Sequence, residues 1–222
     1  MKKLFFIASA LCLSAFAQAQ QPRLTNAVDS VSYAIGVDFG SGLEEGIRQM
    51  PGERLNLDII IAAFSNALKG SEPLLDREFA SQFVQTYFQR QIREKNQKEG
   101  TEFLENNRRQ RGVVTLPSGL QYLVLTEGKG AKPTAESRVV VNYEGFLLDG
   151  TKFDSSIERG EPATFGVTQV IQGWTEALQL MPVGSKWKLF IPYDLAYGSQ
   201  GAGGFIPPYS TLIFEVELLE IQ

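Results

Sequence analysis

Histidine does not occur among the 222 residues, and that absence removes imidazole bases, histidine metal ligands and every Ser-His-Asp or Cys-His nucleophile. Cysteine occurs once, as Cys12. It lies so near the start that a chain processed beyond it would have no thiol and no disulfide. Long hydrophobic runs are missing as well: after Leu4–Ala17 nothing approaches the roughly 20 apolar residues needed to span a bilayer. Basic residues do not dominate, with 21 Lys and Arg against 25 Asp and Glu. Phosphate binding needs a concentrated basic surface, so nucleic acid is not an expected partner. Nothing in the sequence asks for a metal or a cofactor.

The chain opens Met1-Lys2-Lys3, continues through the apolar Leu4–Ala17 and reaches Ala17-Gln18-Ala19 before a polar stretch. This order predicts a cleaved secretory signal over residues 1–19. Losing Lys2 and Lys3 takes the formal charge from -4 to -6. The expected location is the bacterial periplasm, without stable membrane insertion. A lipid anchor on Cys12 is the rival reading, disfavoured by the bulk of Leu11; outer-membrane association stays open.

Residues 26–111 read as helix. Val31, Ile35, Phe39 and Leu43 recur every four positions, with Asp29 or Ser30 expected as the cap. Leu57, Ile60, Ile61, Phe64 and Leu68 repeat the pattern between Asn56 and Gly70. A third helix should run from near Asp76 to about Arg111, on the order of 50 Å at 1.5 Å per residue. Phe79, Phe83, Tyr87 and Phe88 make its first half amphipathic. The second half, polar except for Ile92, has little to bury. Gly100 is either a bend or a tolerated defect there. So small a helical core is marginal alone, which favours a homodimer through these helices. Gly36, Gly40 and Gly42 would let two backbones cross closely, or Gly40 and Gly42 would simply end the first helix.

After Gly112 the vocabulary changes. Leu120, Tyr122 and Val124 alternate, as do Val139, Val141 and Tyr143, then Trp187, Leu189 and Ile191, then Leu212, Phe214, Val216 and Leu218. One short helix is expected after Gln172. The pattern predicts an α+β domain, an antiparallel sheet wrapped on a helix, over residues 114–222, preceded by an all-α segment with a long stalk over 20–113.

Within this region stand V-N-Y-E-G at 141–145, T-K-F-D-S-S from Thr151, V-I-Q-G-W from Val170, A-Y-G from Ala196 and I-P-P-Y-S-T-L-I-F-E-V from Ile206. In that order and spacing they resemble FKBP-type peptidyl-prolyl cis-trans isomerases, almost continuously from Thr115 to Gln222. Residues 29–40 resemble the amino-terminal segment of the secreted Mip-like group, whose helices intertwine into a dimer. The resemblance implies a pocket for proline-containing unfolded or peptide substrates. Tyr143, Phe153, Arg159, Val170, Ile171, Trp174, Ile206 and Phe214 would contact substrate, with Trp174 as floor. Tyr197 would offer its hydroxyl and Ile171 its backbone N–H, while Asp154 would sit at the rim beside Tyr143 or Arg159. Macrolide inhibitors are implied ligands of the same pocket. Ala163 and Ala202 depart from the short family members, where an aromatic and a histidine are common, and open its edges. The glycines at 198, 201, 203 and 204 would make either a mobile flap or a plain long turn.

Two functions follow as expectations. One is an isomerase acting on folding exported proteins; the other is a dimeric periplasmic holdase chaperone whose isomerase activity is secondary. A two-carboxylate hydrolase built on Asp154 with Glu158 or Glu161 is a remote third. A fragment from near Val114 would contain every expected pocket residue.

Overall fold

The computed structural model describes residues 22–222, so the expected signal at 1–19 lies outside the described residues. Among these residues no helix is long and apolar enough to cross a membrane. The chain divides into two units, one ending at Met50 and one spanning Pro51–Gln222.

In the first unit α1 runs Ala27–Gln49. Its cap is Asn26, whose side chain accepts the Asp29 N–H at 2.9 Å, rather than Asp29 or Ser30. Asp29 instead folds back to accept from Thr25 and Asn26. The helix passes straight through Gly40 and Gly42, so these do not end it. A methyl group at Gly36, Gly40 or Gly42 would meet nothing within 4 Å. Val31, Ile35, Phe39 and Leu43 are exposed, Phe39 by 66%.

In the second unit α2 spans Leu57–Leu68 with Asn56 as its cap, as its spacing predicts. α3 spans Arg77–Asn107, capped by Asp76 and ending some residues short of Arg111. Its first half leaves Phe79 and Phe83 exposed. Its second half, expected to have little to bury, packs against the sheet domain. Gly100 is buried inside an unbroken helix, and a methyl there would overlap the Thr211 hydroxyl. It is therefore a point of close approach and neither a bend nor an idle defect. Phe103 meets the Phe190 ring at 5.8 Å.

The sheet follows. Its strands are β1 Val113–Thr115, β2 Gln121–Thr126, β3 Arg138–Phe146, β4 Lys152–Ser155, β5 Ala163–Gly166, β6 Lys186–Ile191 and β7 Leu212–Ile221. The order is β1-β2-β6-β7-β3-β4, with β5 also paired to β3; every pairing is antiparallel. Period-two alternation decides the faces. Val139, Val141, Tyr143 and Gly145 of β3 all turn inward. They meet Leu189, Ile191, Leu212, Phe214, Val216 and Leu218, and the short α5, Gln172–Leu178, closes this face with Trp174, Ala177 and Leu178.

Candidate active site

The site grows from β3. Tyr143 points inward, and two residues on Gly145 does too. A methyl on Gly145 would stand 2.7 Å from the rings of both Phe153 and Phe214. Only glycine lets these two rings meet edge-on, with centroids 5.5 Å apart. Trp174, delivered by the first turn of α5, is 4% exposed. It meets Tyr143 at 5.2 Å, Phe214 at 5.3 Å and Phe165 at 5.9 Å, all edge to face.

The result is a cavity of about 420 Å³. Of the residues expected from sequence, Tyr143, Phe153, Asp154, Val170, Ile171, Trp174, Tyr197 and Phe214 line it. Arg159 and Ile206 do not. Ile206 is buried in the core, where it exchanges both backbone hydrogen bonds with Ala202. Phe165 and Gln169 line the cavity without having been expected. Phe165 lies two residues beyond Ala163 on β5 and so shares its face. An aromatic lost at 163 was legible, but its neighbour on the same face could have been found from the strand period alone.

Asp154 is held by a short device. After β4 the chain makes α4, Ser156–Arg159, capped by the Ser155 side chain and closed by Gly160 in the left-handed region at φ 83°. The buried Ser156 hydroxyl accepts the Tyr143 N–H at 2.8 Å and fastens this turn to β3. Arg159 thereby returns to pair with Asp154 and donates to the Tyr143 hydroxyl at 2.8 Å. That hydroxyl in turn donates to Asp154 Oδ2 at 2.5 Å. Burial pushes the Asp154 carboxyl up, but hydrogen bonds from Tyr143 and Arg159 outweigh it and hold the group below its usual range. Burial, reinforced by Asp154, pushes the Tyr143 phenol up. Glu158, one of the two carboxylates that a hydrolase could pair with Asp154, accepts from Lys152 at 2.7 Å instead.

Among the described residues the buried Trp174 indole N–H has no hydrogen-bond partner, and two further donors stand without one. The Tyr197 hydroxyl is raised by burial and by the Asp154 charge, with no hydrogen bond contributing. Among the described residues the Ile171 N–H has no backbone partner, although the Ile171 carbonyl accepts from Trp174 and Thr175. Tyr197 sits at the mouth of a loop, residues 198–210, rich in positive-φ glycines. Its base is tied: Gly198 donates to the Tyr193 carbonyl at 2.8 Å and Tyr209 donates to the Gly198 carbonyl at 2.9 Å. At Gly201 the φ is 65° and a methyl would overlap the Ile206 carbonyl. A polar latch on an aromatic cavity, with these donors left over, can hold an amide while shielding it from water.

Comparison with known proteins shows the family. Residues 129–219 match the family model described as FKBP-type peptidyl-prolyl cis-trans isomerase. Residues 28–124 match the domain amino terminal to it. The chain is 47% identical to the FKBP-type 22 kDa peptidyl-prolyl cis-trans isomerase of Escherichia coli over 86% of this chain and 93% of that protein. It is 40% identical to the outer membrane protein MIP of Legionella longbeachae over 94% and 92% of the two chains. The crystal structure of FkpA from Escherichia coli aligns with a TM-score of 0.69 at 36% identity, covering 90% of this chain and 99% of that one. With the helical segment and the sheet domain both accounted for, the chain belongs to the FKBP-type peptidyl-prolyl cis-trans isomerases.

Proposed function

We propose that the cavity over Trp174 is where the chain, a peptidyl-prolyl cis-trans isomerase, twists the X-Pro bond of its substrate. The rotation breaks no covalent bond, yet its barrier is about 18–20 kcal/mol because the twisted amide loses resonance. A catalyst has only to favour the twisted imide over both planar isomers, each 1.36 kcal/mol of preference being about tenfold in rate. The proline ring rests on the Trp174 indole between Phe153, Phe165 and Phe214. Aromatic walls withdraw the water that stabilises the dipolar planar amide. The Tyr197 hydroxyl and the Ile171 N–H hold the flanking carbonyls as the bond turns. Asp154, ionised and clamped by Tyr143 and Arg159, keeps the wall rigid.

The observation that carries this reading is that the Tyr197 hydroxyl and the Ile171 N–H, without partners among the described residues, stand beside a cavity lined largely by aromatic rings. Tyr197→Phe removes one hydrogen bond, worth about 0.5–1.5 kcal/mol net, and slows turnover of a short X-Pro peptide by roughly three- to tenfold. Asp154→Ala costs at least as much. Wild-type rates from both variants on such a peptide rule this site out.

Periplasmic location, substrates among folding exported proteins and a homodimer through α1–α3 complete the proposal. The dimer is supported by the apolar stripes those helices leave exposed. Such a dimer also supports a holdase reading, in which unfolded chains are gripped between two copies. Suppression of aggregation of a proline-free client by the Tyr197 and Asp154 variants separates that activity from isomerisation. Macrolides, bulky and largely apolar macrocycles, suit the same aromatic cavity.

A further inference from the structure

One face of α3 is made of residues that hydropathy ignores. Asn96, Gln97, Gly100, Phe103, Leu104 and Asn107 fall at helical spacing, and all are at least partly buried while the residues between them are exposed. The first three touch the chain on either side of Tyr197, at Tyr193 before it and at Pro208 and Thr211 beyond it. Asn96 Nδ2 donates to the Pro208 carbonyl at 2.8 Å. Gln97 Nε2 donates to the Tyr193 hydroxyl at 3.1 Å. Gly100 lies directly against Thr211, the last residue before β7. Those anchor points are joined to each other: the Tyr193 and Tyr209 rings meet edge-on at 5.4 Å, and Gly198 bridges Tyr193 and Tyr209 through its own N–H and carbonyl. Tyr209 is also the only non-glycine residue with positive φ among those described, at 60°. A conformation of that kind persists only where surrounding contacts hold it.

We infer that the Asn96, Gln97 and Gly100 face of α3 positions the loop that carries Tyr197, so that the helical segment sets the placement of this hydroxyl in the cavity. This rests on the reading of Tyr197 as a donor to substrate. Asn96, Gln97 and Gly100 are positioning residues, since none lines the cavity. They act from behind the loop on Pro208, Tyr193 and Thr211. A shift of α3 against the sheet domain is passed to Gly198 and thence to its chain neighbour Tyr197. Because the hydroxyl's contribution is made as the bond turns, a misplaced loop lowers kcat more than it changes KM.

The test uses the full chain. Gly100→Ala drives a methyl into the Thr211 hydroxyl and should lower kcat on a short X-Pro peptide by about three- to tenfold with KM little changed, the range of losing the Tyr197 bond. The double variant Gly100→Ala/Thr211→Ala removes the overlapping hydroxyl and should recover most of the loss. Asn96→Ala, which adds no bulk, should lower kcat in the same direction. In protein labelled on its tyrosine rings, the Tyr197 resonance, assigned by its disappearance in Tyr197→Phe, should move in Gly100→Ala and return in the double variant. An unmoved Tyr197 resonance, or a kcat that Gly100→Ala and Asn96→Ala leave at the wild-type value, overturns the inference even where Tyr197→Phe is slow. A moved resonance with Tyr197→Phe as fast as wild type keeps the positioning of the loop and discards the donor role of Tyr197 instead.

Discussion

At Gly145 a single missing methyl group shapes the catalytic wall. Gly145→Ala would place that methyl 2.7 Å from two rings at once, and overpacking of this kind costs about 1–3 kcal/mol. One ring must move into the cavity, so peptide turnover should fall at least as far as in Tyr197→Phe. Thermal unfolding and the peptide assay together check this; unchanged stability and rate would mean that the rings part freely. The titrating groups give a second expectation. Tyr143 and Tyr197 are held above their usual 10.0 and Asp154 below its usual 3.8, and no histidine lies between. The peptide rate should therefore be flat between about pH 5 and pH 9. Asp154 contributes stability that is complete above its unfolded-state value and is lost as pH falls through its lower folded value, so its own share of the acid loss of stability falls at and below about 3.8. A step in rate near neutrality would mean that a group outside this network controls turnover. Most of these residues were legible because aromatic and acidic side chains at fixed spacing are conspicuous. Gly145 and Phe165 were not read as site residues, since their roles depend on which strand face they share.

Elements were legible in proportion to how apolar their buried faces are. Strands β3, β6 and β7 alternate in plain hydrophobic letters, and α2 carries its cap and its stripe in sequence. The cap of α1 was misplaced by one turn because Asp29 looks like a cap yet serves as a partner of one. The second half of α3 was expected as helix, but its packing was missed. Its buried face is spelled Asn, Gln and Gly as much as Phe and Leu, and polar residues that bury by hydrogen bonding leave no hydropathic period. The earlier parts of the helical segment make the opposite case: their stripes are obvious, and Phe39, Phe64 and Phe83 stand exposed among the described residues. If a second copy covers them, Phe39→Asp and Phe83→Asp should each weaken dimerisation by roughly a hundredfold or more, since burying such a side chain contributes about 1.5–3 kcal/mol in each subunit. Sedimentation across a concentration series reads this directly. A wild-type chain that is monomeric at micromolar concentration removes the proposed dimer.

For the molecule as a unit, the question is where the part that carries the site begins. Every cavity residue lies beyond Val113, which made a fragment from near Val114 a natural minimal isomerase. The contacts of α3 argue for a longer one. Cutting at Val114 removes Phe103 from the Phe190 ring and takes away the Leu104 carbonyl and Asn107 amide that satisfy the buried Gln121. It also frees the loop ties made by Asn96 and Gln97. Partial burial of Phe103 and Leu104 with these hydrogen bonds amounts to about 2–4 kcal/mol. A fragment starting near Lys95 should therefore unfold at a higher urea concentration than one starting at Val114, by roughly 1–2 M at a slope near 2 kcal/mol/M for a small domain. Both should turn over peptides, because the cavity itself is intact in each, and the longer one should do so faster. Equal urea midpoints for the two fragments would show that α3 leans on the sheet domain without stabilising it, and the helix would then be a spacer that happens to touch its load.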